Sequence, residues 1–113
     1  MDKVYLRSLF LSEKEFLKKL YNGDKSVLNF GSDKALDVTI RILHLLSNGE
    51  IPMRKQDETF IKNAKKFHAL NKFSSKIYFR ELLTKSSRET KLKSLKQFLK
   101  LYPVLLYSFF NEI

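Results

Sequence analysis

The sequence predicts an all-α fold, a single small domain of five or six short helices packed around a central apolar helix. Three observations predict it. Apolar residues recur at helical spacing in segment after segment. Capping residues and glycine stops bracket those segments. No segment carries convincing hairpin chemistry, because Asn22-Gly23 and Asn48-Gly49 both follow helical patterns. A length of 113 residues permits one domain and hardly two.

Taken in order, Val4–Leu11 is an apolar stretch broken by Arg7. With Asp2 where positive charge belongs and no small-residue cleavage site following, it does not read as a signal peptide. Ser12-Glu13-Lys14-Glu15 reads as a capping box that opens a helix with Phe16, Leu17, Leu20 and Tyr21 on one stripe, closed by Gly23 in the left-handed conformation. Asp24–Gly31 has turn residues at both ends and reads as a loop. Ser32 or Asp33 caps the next helix, which carries Leu36, Ile40, Leu43 and Ser47 on one stripe and stops at Asn48-Gly49. The alternation Val38, Ile40, Ile42 suggests a strand, but the run Leu43–Leu46 that follows suits a nearly surrounded helix better.

Pro52 fits an N-terminal turn. Beyond it, Phe60, Ile61, Ala64, Phe67 and His68 predict a Lys-rich helix ending near Asn71. Ser74 or Ser75 starts a short helix through Ile77, Tyr78, Leu82 and Leu83. Ser86-Ser87-Arg88-Glu89 is a second capping box, and its helix places Leu92, Leu95, Leu99 and Tyr102 on one face. Pro103 breaks or restarts the chain before the apolar run Val104–Phe110. The phenylalanines at helical core spacing, Phe60, Phe67, Phe79 and Phe98, read as core rather than base-stacking groups.

Composition narrows the function. Lys and Arg number 22 against 12 Asp and Glu, a net charge of +10. The first 51 residues contribute only +1 of that excess, and the Lys-rich remainder carries +9. An apolar content of 43% is too high for a disordered basic tail. No apolar run reaches the roughly 18 residues needed to cross a bilayer. The absence of cysteine excludes disulfides, Cys-ligated zinc and thiol catalysis, and suits a reducing compartment. The expected location is intracellular, in cytoplasm, nucleus or virion, and not secreted.

The catalytic inventory is thin. His44 and His68 lie in separate helices and form no H-E-x-x-H pair, so each reads as a packed or boundary residue, with a phosphate contact as the functional alternative for His68. Asp33 and Asp37, four apart on a helix, are positioned to face one another, but Asp33 has a capping explanation. Asp57 and Glu58 suit the positive end of a helix dipole, and Glu13, Glu15 and Glu89 suit caps. Seryl nucleophile motifs and phosphate-cradling glycine loops are absent. No catalytic, cofactor-binding or metal-binding residue is nominated, and the chain reads as a non-enzyme.

The cations are the informative feature. Candidate phosphate contacts are Arg54, Lys55, Lys62, Lys65, Lys66, Lys72, Lys76, Arg80, Arg88, Lys91, Lys93, Lys96 and Lys100, with Lys85 beside them. Lysine outnumbers arginine, which suits non-specific neutralisation of DNA or RNA phosphates better than bidentate reading of guanine. Any single lysine is as well explained by solubility; the whole set exceeds what solubility requires. The run Val104–Phe110 reads as core, as a segment docking a protein partner or a second copy through Tyr107, Phe109 and Phe110, or as a peripheral membrane contact. The expected function is sequence-independent neutralisation of nucleic acid. The alternative is an assembly module of a large ribonucleoprotein or capsid, anchored by that tail.

From Leu36 onward a longer pattern stands out. Leu36-Asp37 leads an apolar helix into Asn48-Gly49-Glu50-Ile51-Pro52, followed by a Lys-rich helix with Phe67-His68-Ala69-Leu70, a basic segment ending in Leu82-Leu83, and a late apolar tail. This resembles the small basic proteins encoded by polinton-type transposons and adintoviruses, over about residues 36–113. The resemblance implies a virion-associated, DNA-packaging-related protein without catalytic residues. The chain departs from that pattern at Thr84-Lys85-Ser86-Ser87, where the family has a glycine-rich step, and in a tail poorer in Pro and Ala.

Overall fold

The computed structural model describes residues 3–52, 54–56, 59, 78–101 and 105–112. The expected helix through Phe60–His68, its end near Asn71, the helix start at Ser74 or Ser75, and Tyr102-Pro103 lie outside them. Among the described residues there are six α-helices and no strand: α1 (Lys3–Ser12), α2 (Lys14–Tyr21), α3 (Asp33–Ser47), α4 (Tyr78–Lys85), α5 (Arg88–Leu101) and α6 (Leu105–Glu112). None of the described helices is long and apolar enough to cross a membrane.

The first element revises the reading of Val4–Leu11. It is a helix whose inner side buries Leu6 and Leu9, although its other side leaves Val4 and Leu11 exposed, so no clean stripe announced it. This helix also overturns the first capping box. Ser12 is still inside α1, and its hydroxyl donates to Leu9 O at 2.8 Å, so Glu13 takes the cap position of α2 without a side-chain bond.

Two helix ends match their glycine signals. Gly23 and Gly49 adopt φ of +92° and +76°, which glycine tolerates because it lacks Cβ. Around Gly23, Asp24 N–H donates to Lys19 O (2.9 Å) and Gly23 N–H to Leu20 O (3.0 Å). Around Gly49, Glu50 N–H donates to Leu45 O (3.0 Å) and Gly49 N–H to Leu46 O (3.2 Å). Both sets are Schellman closures that satisfy the last carbonyls of their helices. The expected loop Asp24–Gly31 is instead a 3-10 turn, Lys25–Phe30, because Asp24 caps it through Ser26 N–H at 3.2 Å.

Of the two candidates, Ser32 is the cap of α3, accepting from Ala35 N–H at 3.1 Å. That helix keeps Asp33, Lys34, Asp37, Arg41 and His44 on its wet side, and buries Ala35, Leu36, Val38, Thr39, Ile40, Ile42, Leu43, Leu45 and Leu46. The buried Thr39 hydroxyl is satisfied by Ala35 O at 2.9 Å. α3 packs against α4, α5 and α6.

The second cap sits one residue later than its sequence motif suggests. Ser87, not Ser86, accepts from the Thr90 amide at 3.3 Å, and its hydroxyl meets that of Thr90 at 3.1 Å. α5 buries Leu95, Phe98 and Leu99 with Leu92 half-buried, and α4 buries Phe79 and Leu82. Their rings cluster: Phe79 lies 4.9 Å from Phe98 and 5.2 Å from Tyr78 between centroids. The Tyr78 hydroxyl reaches Ser94 Oγ at 3.4 Å. One buried cluster runs from Leu6 on α1 to Phe109 on α6.

Candidate nucleic-acid interface

The cations expected to meet phosphate divide into groups with different surroundings. Arg88 and Lys91 sit on the first turn of α5 and face the first turns of α3. Arg88 Nη1 donates to Asp33 Oδ1 at 2.6 Å while its Nη2 bonds the Gly31 carbonyl. Lys91 Nζ donates to Asp37 Oδ1 at 2.9 Å. Acids spaced four apart on α3 thus oppose bases spaced three apart on α5, because each spacing is close to one helical turn and both rows face the shared seam. The four-residue spacing of Asp33 and Asp37 is visible in the sequence; their partners, 55 and 54 residues away, are not. For Arg88 and Lys91 the placement is therefore a clamp between helices rather than an open phosphate contact.

The two rungs differ in weight. Asp33 is 79% exposed, so its pair with Arg88 is screened by water and contributes little. Lys91 is only 16% exposed, and its stem lies along the packed seam. Lys91→Ala is expected to lower unfolding free energy by about 1–2 kcal/mol, through the lost pair with Asp37 and lost stem packing. In a double-mutant cycle read by urea denaturation, Lys91 and Asp37 should couple by about 1 kcal/mol, and Arg88 and Asp33 by less. Equal coupling at both rungs would contradict this ranking.

Other cations face water. Lys93 and Lys96 are exposed on α5, turned away from buried Leu95, Phe98 and Leu99. Arg80 and Lys85 are exposed on α4, Lys85 with Glu81 at 3.8 Å. Lys55 is exposed, and Arg54 is half-buried with its backbone N–H donating to the buried Ser108 Oγ at 3.2 Å. Lys100 continues α5, but its side chain lies outside the described residues, as do Lys62, Lys65, Lys66, Lys72 and Lys76 entirely.

The C-terminal candidates require a correction. Phe109 is fully buried, and Phe110 stacks on Tyr21 with centroids 4.4 Å apart and meets Phe10 edge-on at 5.5 Å. These rings are joined to α1 and α2 of the same chain, so Phe109 is core and not a docking group, and one face of Phe110 is already covered. Tyr107 lies in α6 with its side chain outside the described residues.

His44 is half-buried near the end of α3, with Nε2 at 3.4 Å from Asn48 Nδ2. His68 lies outside the described residues. Among the described residues no three His, Asp or Glu side chains gather as metal ligands would. Comparison of the chain with protein-family models, with curated proteins and with solved structures finds no match.

Proposed function

We propose that this chain is a non-catalytic, nucleic-acid-associated protein that neutralises phosphate without reading sequence. The observation that carries the reading is the exposure of Lys93 and Lys96 on the wet face of α5, in a chain whose +10 charge falls almost wholly after residue 51. Lysines held out by a packed helix neutralise a phosphate chain through counterion release, which is indifferent to base identity. The resemblance to the small basic proteins of polinton-type transposons and adintoviruses supports a role in packaging DNA within a virion. The alternative, an assembly module anchored by its tail, is weakened by the burial of Phe109 and the stacking of Phe110.

The test is titration of unrelated duplexes over a salt series. Affinity is expected to be alike for all sequences and to fall steeply with salt. The double variant Lys93→Gln/Lys96→Gln should make the log–log salt slope shallower by about 2, since each lysine–phosphate contact contributes about 0.9. No binding of either duplex or single strand at low salt overturns the reading.

A further inference from the structure

Phe30 has 88% of its surface open to water, more than any other large apolar side chain among the described residues. The phenylalanines at core spacing that the structure describes, Phe79 and Phe98, are buried; Phe30 closes the 3-10 turn and points out. Its backbone is fixed from both sides. Asp24 caps the start of the turn through Ser26, and the next carbonyl, that of Gly31, accepts from Arg88 Nη2. Gly31 itself is buried, and a Cβ there would come within 2.7 Å of the Phe16 ring, so the chain passes close to α2 at this point. The turn packs against both α2 and α5.

We propose that Phe30 is a stacking platform for an unpaired base, which makes single-stranded nucleic acid the polyanion; this rests on the phosphate-neutralising reading above. A phenyl ring has no hydrogen-bonding atom, so it accepts the face of any base and adds affinity without sequence preference. Lys34 is exposed in the first turn of α3, four residues beyond Phe30, and Lys93 and Lys96 are exposed on α5, one of the two helices the turn packs against. The ring and the lysines thus offer the two contacts that sequence-tolerant single-strand binding combines.

The test compares the full chain and its variants on labelled oligo-dT and on a duplex of equal length. Phe30→Ala should weaken oligo-dT binding about tenfold, leave duplex binding and both salt slopes unchanged, and preserve the thermal midpoint because the ring is exposed. Phe30→Tyr should retain oligo-dT affinity. The chain has no tryptophan, so Phe30→Trp supplies a single reporter whose emission should be quenched by oligo-dT and not by duplex. If Phe30→Ala leaves oligo-dT binding intact while Lys93→Gln/Lys96→Gln weakens binding of both polymers, the stacking proposal fails and the function stands. If the unmodified chain binds neither polymer, both fail. Self-association that Phe30→Ala abolishes would assign the ring to a second copy and overturn the proposal.

Discussion

Replacing Phe109 by alanine is expected to destabilise the folded monomer by about 3–5 kcal/mol, the range for removing a buried phenyl ring and leaving a cavity. A chain of 113 residues has roughly 6–17 kcal/mol of stability in total, so the loss is a large fraction of it. The ring is fully buried, and its neighbour Phe110 bridges to Tyr21 and Phe10 on the two N-terminal helices. Loss of Phe109 should therefore loosen α6 from α3 and α1, the elements it packs on. Urea denaturation at several protein concentrations decides the matter. A midpoint that falls by the same amount at every concentration places the ring in the monomer core. An unfolding free energy within about 0.5 kcal/mol of the parent, with loss of association, would restore the docking reading.

Phe79→Ala is the second large effect, again about 3–5 kcal/mol, for a different reason. Phe79 joins α4 to α5 through Phe98 at 4.9 Å, with Tyr78 at 5.2 Å, and α4 packs closely on α3. Truncation removes buried area and also the ring–ring attraction, about 0.5–1.5 kcal/mol per pair beyond burial. Phe79→Leu keeps most of the volume and should cost much less, about 1–1.5 kcal/mol. Near-equal costs for leucine and alanine would show that the aromatic contacts, not the filled volume, hold α4 in place. A cost below 1 kcal/mol for alanine would contradict the packing altogether. Circular dichroism thermal melts of the two variants beside the parent supply the measurement.

Both predictions concern residues whose identity as core groups was unevenly legible. Phe79 and Phe98 sit at helical spacing with Leu82, Leu95 and Leu99, and the period alone assigns them inward. Phe109 and Phe110 sit in a run that is apolar all round, where the period says nothing about direction. The sequence is silent on Phe30 for the opposite reason. It lies among turn residues, outside any periodic stripe, so only its exposure in the folded chain distinguishes it. The first capping motif misled because α1 runs on through Ser12, and a serine inside a helix bonds its own preceding turn instead of opening the next.

The sequence by itself determined the all-α class, the two glycine-closed helix ends, and the inward faces of α2 to α5. Each rests on interactions spanning three to five residues, which the local order of side chains dictates. Only the tertiary structure decided which cations are engaged and which are open. Arg88 and Lys91 look like Lys93 and Lys96 in a list of residues, yet the first two meet Asp33 and Asp37 across a seam between helices 55 and 54 positions apart. It likewise decided that Phe110 stacks on Tyr21, at the far end of the chain. Such contacts depend on how helices pack, and packing is set by the summed burial of many side chains rather than by any local pattern.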